Sequence, residues 1–531
     1  MSQADSSLQN MRPEVKLTEP DVSREDSYFA ASEHVTTLCH LNVTCALARR
    51  GKSHYGKHMA HTPGDGPPER IPPVADTDQL PVYGLLANGD RKIPKKQSFS
   101  WALWDWATQP FATVITTFVF TVYLVSDLFV DPDVLALGAT SPEYQAASAA
   151  LSRDLGYAIA AAGFLIAALA PVLGQRSDRS SNRKWWLGIN TLLLVFVQAG
   201  LFFVTVEPNM FVLGLTLVAA GNVFAEIANV HYNAMIVQVS TPKNVGRISG
   251  LGWGFGYLGG ILMLLIAFFG FLQFDLFGLG DENGIAVRAI AVACAVWTVI
   301  FAIPIFLFVP EVPKKPASER ISFFASYGVL WREIKLLRKT SPSTFQFLLS
   351  SAIFRDGLSG VFTFGGVLAA GTFGFSFNEV VIFGIAANLV AGISTMLSGR
   401  LDDWLGPRAV ILGSLGGLVA VGVFLFIARD MGAGAFWIGG MVLASLVGPA
   451  QAAARSFLAR VSPVGQEGAI FGLYATTGRA VSFLTPTLWA IAIGLGGAQY
   501  WGIVGIVVVL LAGFILMALV KLPEHVSYRG K

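Results

Sequence analysis

The sequence predicts an all-α membrane protein with twelve transmembrane helices in two six-helix bundles. Three observations lead there. Of 531 residues, 53% are hydrophobic and 13% are charged, and the mean hydropathy is +0.59. A soluble domain carries about 25% charged residues, so the composition argues strongly against a soluble multidomain enzyme of this length. From residue 100 onward, twelve apolar segments follow one another, each near the ~20 residues that a helix needs to cross a bilayer. A basic linker at 310–343 divides these segments six and six. The net charge of +3 gives no reason to expect a nucleic-acid partner. Cys39, Cys45 and Cys294 have neither the number for a disulfide framework nor the spacing of a zinc site.

Residues 1–98 are polar, rich in Pro, Gly, Ser and Asp, and lack helical or strand periodicity, which predicts a disordered tail. Five of the seven histidines fall here (His34, His40, His54, His58, His61), but their irregular spacing reads as tail rather than as a metal site. No apolar core of a secretory signal is present in the tail, and Met59 offers a second start. The N-terminal bundle, 99–310, holds spans at about 101–126, 154–173, 185–206, 210–234, 247–271 and 288–309. The linker, 311–343, contains an amphipathic stretch around Trp331–Lys339 that suits an inner membrane surface. The C-terminal bundle, 344–524, holds spans at about 344–369, 378–398, 409–428, 434–457, 468–492 and 500–520, with Ser376 and Glu379 as a capping box before the second of them. Residues 525–531 form a short tail. Lys and Arg set the orientation: 23 lie in the loops on the side of the termini and 3 in the opposite loops, which predicts cytoplasmic termini in a cell (inner) membrane.

One pattern recurs in both halves. Gly174, Asp178 and Arg183 follow span two, and Gly399, Asp403 and Arg408 follow span eight, with the same spacing and 225 residues apart. Such a tight loop can pair its Asp and Arg across helix ends. The loop resembles the signature loop of the major facilitator superfamily, departing from it at Ser181 and Trp404. Further stretches, Trp101–Ala107, Tyr232-Asn233-Ala234, Gly250–Gly260 and Phe471–Arg479, are similar to the vacuole-effluxer-like family, which includes the autophagy-related vacuolar permease of fungi. That resemblance implies inverted three-helix repeats rocking about a central site, amino-acid export, and a gating role for Asp178, Arg179, Arg183, Asp403 and Arg408.

Charge within a membrane marks function by default. Span four places Asn222, Glu226, Asn229 and Asn233 on one helical face, and span one places Asp105, Gln109, Thr113 and Thr116 on another. Pro110 permits a bend in span one. Span seven carries Ser351, Arg355, Ser359 and Thr363, and span ten carries Gln451 and Arg455. At 1.5 Å per residue, Arg355 lies roughly 16 Å into its span, near the bilayer midplane, and Arg479 lies at a similar depth. The expected substrate site is therefore Arg355, Arg479, Asn229, Asn233, Asn222 and Gln109. Glu226, Asp105 and Asp356 are the proton-coupling candidates. The competing reading is that these charges pair across the halves and fix packing, and for Asp105 and Arg455 that reading leads. His231 lies off the polar face and reads as a helix-end residue. Gly252, Gly256 and Gly260 recur every fourth residue and predict a close helix contact that slides during transport. The fingerprint-like Gly254-Phe255-Gly256-Tyr257-Leu258-Gly259 has no strand before it and implies no dinucleotide.

No nucleophile–base pair, metal-ligand spacing or phosphate loop is present in the sequence, so neither an enzyme nor a cofactor is expected. The expected partners are a small-molecule substrate and the lipid bilayer, with the chain a monomer. A secondary transporter of a small polar or zwitterionic metabolite leads. A lipid or lysolipid translocator and a non-transporting sensor or scaffold are the alternatives.

Overall fold

The computed structural model describes residue 85 and residues 92–138, 141–280, 282–311, 322–375 and 377–521. The expectations for residues 1–84 and 86–91, for Ser376 and for residues 525–531 lie outside the described residues. The tail expected to reach residue 98 is corrected at its end, where Lys95–Ser98 already form the first turn of a helix and Ser98 donates to the Val239 carbonyl at 2.7 Å. All regular elements among the described residues are helices. Eleven are long and apolar enough to cross a membrane: Lys95–Leu124, Pro142–Ser180, Arg183–Phe203, Asn209–Val239, Val245–Gln273, Ile285–Phe308, Ile382–Leu405 (within Phe377–Leu405), Pro407–Met431, Ala433–Val461, Glu467–Gly496 and Gln499–Leu519. A further helix, Pro342–Gly371, is 30 residues long, and Arg355-Asp356 in its middle lowers its hydropathy. In chain order these are spans one to twelve, with Pro342–Gly371 as span seven.

Each bundle repeats one packing scheme. Span one packs on spans five and six, span three on spans four and six, and span two on span four. Six positions later, span seven packs on spans eleven and twelve, span nine on ten and twelve, and span eight on ten. The bundles meet along two seams, span two against span eleven and span five against span eight.

Proline breaks the regular pattern where the sequence places it. Pro110 lacks an N–H and cannot continue the α-helical ladder, and the chain beyond it forms wider turns over Phe111–Phe118, with Val119 N donating to Val114 O at 2.8 Å. Span eleven is two helices, Glu467–Val481 and Leu484–Gly496, rather than the expected single one. Pro486, in the first turn of the second piece, has no N–H for the Ser482 carbonyl, so the ladder cannot cross Ser482–Phe483.

The repeated motif is more helical than expected. Span two runs through Gly174 and Asp178 to Ser180, and only Ser181 and Asn182 form the turn, Ser181 in the left-handed region at φ 51°. In the second copy Gly406, at φ 86°, makes the turn into Pro407.

A separate amphipathic helix, Phe323–Thr340, occupies the linker. It turns Leu330 and Leu337 inward and packs on spans two and seven.

Candidate functional site

The side of the bundles that carries both ends of the described chain is closed by charged groups reaching across both seams. Asp178 accepts from Arg183 (Nη2 at 2.6 Å) and from the backbone N–H of Ala469 at 2.9 Å. Ala469 is the third residue of span eleven, so a carboxylate of one bundle caps the positive end of a helix in the other. Arg183 also donates to Glu467 at 2.6 Å and to the Ala234 carbonyl at 3.1 Å, and all three charged side chains are buried. The second copy mirrors the cap. Asp403 accepts from the backbone N–H groups of Gly246 (2.7 Å) and Arg247 (3.1 Å), the second and third residues of span five.

The copies differ in their arginines. Arg408 does not reach Asp403; its Nη2 donates to the Ala518 carbonyl at 2.6 Å, at the end of span twelve. Span nine starts at Pro407, directly after the Gly406 turn, and this aims Arg408 along its own bundle. The expected Asp403–Arg408 pairing is corrected accordingly. Arg247 and Arg460 are the cations beside Asp403, at 3.2 and 3.5 Å. Arg460 also bonds Asp402 at 3.3 Å and the Pro242 carbonyl of the other bundle at 3.0 Å. Arg179 faces the linker helix, where Glu333 accepts from it at 3.5 Å and from Gln175 at 2.6 Å.

Deeper in, Arg455 of span ten joins three helices of the N-terminal bundle. It donates to Asp105 (3.2 Å), Asn233 (3.0 Å), Ser249 Oγ (3.1 Å) and the Ser249 carbonyl (2.7 Å), among the rings of Trp101, Tyr232 and Trp253. Tyr232 adds a hydroxyl donor to Asp105 at 3.1 Å. This cluster closes the bottom of a cavity of about 410 Å³ that extends away from the terminal side. Exposure rises along it, from 4% for the Arg455 side chain to 23% for Glu226 and 37% for Arg479.

Spans four, seven, ten and eleven line the cavity, with Trp253 from span five. Glu226 and Arg479 face each other across the halves at 3.9 Å, too far for a direct hydrogen bond. The Arg355 guanidinium carbon lies 3.8 Å from the Tyr474 ring centre, and the side chain donates to the Tyr474 carbonyl at 2.8 Å. It has no carboxylate partner among the described residues. Asp356 also lines the cavity and accepts from the N–H and hydroxyl of Thr485 at 2.6 and 2.5 Å, capping the second half of span eleven. Asn229 accepts from Asn233 at 2.8 Å at the cavity edge.

Several expected residues lie elsewhere. Span one does not line the cavity: Asp105 is held in the Arg455 cluster, and Gln109 covers the glycines of span five. Asn222 is also outside the cavity and donates to its own helix at Val218 O, 2.9 Å away. The stripe Gly252, Gly256 and Gly260 faces span one within its own bundle, with Tyr232 and Arg455 at Gly252. The seam to the other bundle uses a different face of the same helix, Gly246, Gly250 and Gly254. His231 is fully buried, with Nδ1 3.1 Å from Ser177 Oγ. Sequence reasoning missed Glu333, Glu467, Trp253 and Tyr474, together with Arg247, Asp402 and Arg460 around the second cap. For Glu467 the signal was an acidic residue in the first turn of a span. For Tyr474 it was a position five residues before Arg479 in a stretch already singled out.

Two pseudo-symmetric six-helix bundles, joined on one side and enclosing a central polar cavity, define a transporter of the major facilitator class. A solved structure of the human organic anion transporter MFSD10 (TETRAN) superimposes with a TM-score of 0.61 at 17% identity, covering 80% of this chain and 100% of that one. The chain belongs to the family described as vacuole effluxer Atg22 like, whose profile matches residues 237–526, just over half of its length. An uncharacterized MFS-type transporter of Bacillus subtilis (strain 168), YxiO, is 26% identical over 81% of this chain and 96% of its own. Autophagy-related protein 22 of Yarrowia lipolytica (strain CLIB 122 / E 150) is 22% identical over 51% of this chain and half (50%) of its own length.

Proposed function

We propose that this transporter carries a small, carboxylate-bearing, amino-acid-like metabolite by alternating access, in a cell membrane with its termini in the cytoplasm. Arg355 and Arg479 hold the carboxylate. Glu226 is the counter-charge of Arg479 in the empty site and the proton-coupling group when substrate displaces it. One observation carries the reading: three arginines and two carboxylates line one cavity, Asp356 is held by Thr485 and Arg455 by its own cluster, and the one ion pair among the remaining Arg355, Arg479 and Glu226 is 3.9 Å long. A loose pair of this kind can give way to a ligand, whereas the tight Arg455 cluster below is already satisfied. Asp178, Arg183, Glu467 and Asp403 keep the terminal side shut in this conformation and release when the opposite side closes.

The test is uptake into proteoliposomes over a panel of amino acids and organic acids, with and without a pH gradient. Saturable flux of an amino acid that is lost in Arg355→Ala is expected. Wild-type flux in that variant removes the carboxylate clamp, and flux indifferent to the gradient removes Glu226 as a proton site. A second reading, an organic anion without an amino group, draws on Arg455 as a third cation lining the cavity and on Asp356 being occupied by Thr485. The same panel separates the two.

A further inference from the structure

The linker helix Phe323–Thr340 has two faces with different tasks. Its inner face carries Ser326, Leu330 and Leu337, all buried. Its outer face carries Phe324 (82% exposed), Gly328 and Trp331 (60% exposed), followed by Lys335 and Arg338. Arg332, Leu336 and Lys339 extend that exposed strip. Arg332, Lys335, Arg338 and Lys339 make no ion pair among the described residues, and Lys335 lies 5.4 Å from the Trp331 ring. Large exposed aromatics beside unpaired cations are the composition of a helix lying in a bilayer interface.

Depth supports the same occupant. The Tyr327 hydroxyl donates to the Ala168 carbonyl of span two at 3.1 Å. Arg176, Asp178 and Arg179 mark the aqueous end of that span, and Ala168 is eight residues before Arg176, roughly 12 Å deeper at 1.5 Å per residue. The start of the linker helix is thereby held at the level of the headgroups rather than in bulk water.

We propose that this face is a docking site for anionic phospholipid headgroups, with Phe324 and Trp331 inserted and Arg332, Lys335, Arg338 and Lys339 reaching the phosphates. The docked helix also anchors the seam, because Glu333 on its protein side holds Gln175 and Arg179 at the end of span two. The proposal does not depend on what the carrier transports.

The test uses the full chain with Cys39 and Cys45 replaced by serine, in nanodiscs of phosphatidylcholine with and without phosphatidylglycerol. A nitroxide on Gly328→Cys is expected to collide with oxygen and to be shielded from an aqueous nickel chelate. Phosphatidylglycerol retained through detergent extraction, counted by native mass spectrometry, is expected to fall in the variant Arg332→Gln/Lys335→Gln/Arg338→Gln/Lys339→Gln. Each cation near an anionic surface contributes about fivefold in affinity, so the fall should exceed fivefold. Arg153→Gln, which neutralises an exposed cation at the opposite end of span two and away from this helix, serves as the control and should retain wild-type lipid. Nickel access at Gly328→Cys, or equal retention by the neutralised and wild-type chains, overturns the proposal and leaves the face open to a soluble partner.

Discussion

Arg183 shows how a charge can be held away from water. Its guanidinium is 2.6 Å from both Asp178 and Glu467, and its remaining nitrogen finds the Ala234 carbonyl. Removing it leaves two buried carboxylates facing each other. Breaking a buried pair from one side costs about 3–5 kcal/mol, so Arg183→Ala should unfold at a clearly lower temperature in detergent. Glu467→Gln should lose less, because Arg183 keeps Asp178. A wild-type midpoint for Arg183→Ala is incompatible with the cluster as described. Arg355 makes the opposite case, a cation whose shape matters as much as its charge. It sits over the Tyr474 ring while donating to the Tyr474 carbonyl, and a lysine ammonium, a compact point charge, lacks the fixed fork of donors that lets one guanidinium do both. Arg355→Lys should therefore raise the apparent KM for transport by about tenfold, the equivalent of ~1.4 kcal/mol. An unchanged KM would show that charge alone serves there.

Span five separates what its sequence reveals from what only packing can. The sequence marked it as a glycine helix, and glycines every fourth residue meant close contact. Two such series run through it, offset by two residues, and nothing local says which one meets the other bundle. A Cβ on Gly250 would lie 2.6 Å from the Thr395 carbonyl oxygen across the seam, and backbone cannot yield. A Cβ on Gly256 would meet the Gln109 side chain at 3.4 Å, in ordinary contact. Gly250→Val should push the terminal side open and raise the reactivity of a thiol at Ala452→Cys by about tenfold, for a shift of ~1.4 kcal/mol. Gly256→Ala should leave that rate within about twofold, a change of roughly 0.5 kcal/mol. Equal rates in both variants would mean that the seam does not depend on this face. The same limit applied elsewhere. Hydropathy and the basic loops set the order of the spans, since burial in lipid acts on each helix separately. The polar stripes of spans four and seven pointed to Glu226, Asn229, Asn233 and Arg355, all of which line the cavity. Span one carries an equal stripe, yet it is turned toward Arg455 and span five, because rotation about a helix axis is settled by neighbours. Glu333 was not legible at all, since its partners lie 158 and 154 residues away.

The whole molecule is two copies of one device facing each other. Asp178 of the first half caps span eleven, and Asp403 of the second half caps span five, each carboxylate accepting from the first-turn amides of the opposite bundle. On the alternating access proposed above, each cap exists only while the terminal side is shut, so both belong to the difference between the two access states rather than to the stability of either bundle. A helix cap contributes about 1 kcal/mol. The two caps share no partner, so their effects should add. Asp178→Asn also weakens the Arg183 cluster, and Asp403→Asn weakens its contacts with Arg247 and Arg460. Each single variant should shift the closed-to-open ratio of the terminal side by about fivefold, and the double variant by roughly thirtyfold, the equivalent of ~2 kcal/mol. Spin labels at Trp185→Cys and Val464→Cys, exposed positions in different bundles on the terminal side, report this as a growing population at longer distance. A double variant that moves no further than either single one would mean that the caps are not independent, and that one seam alone decides when the terminal side opens.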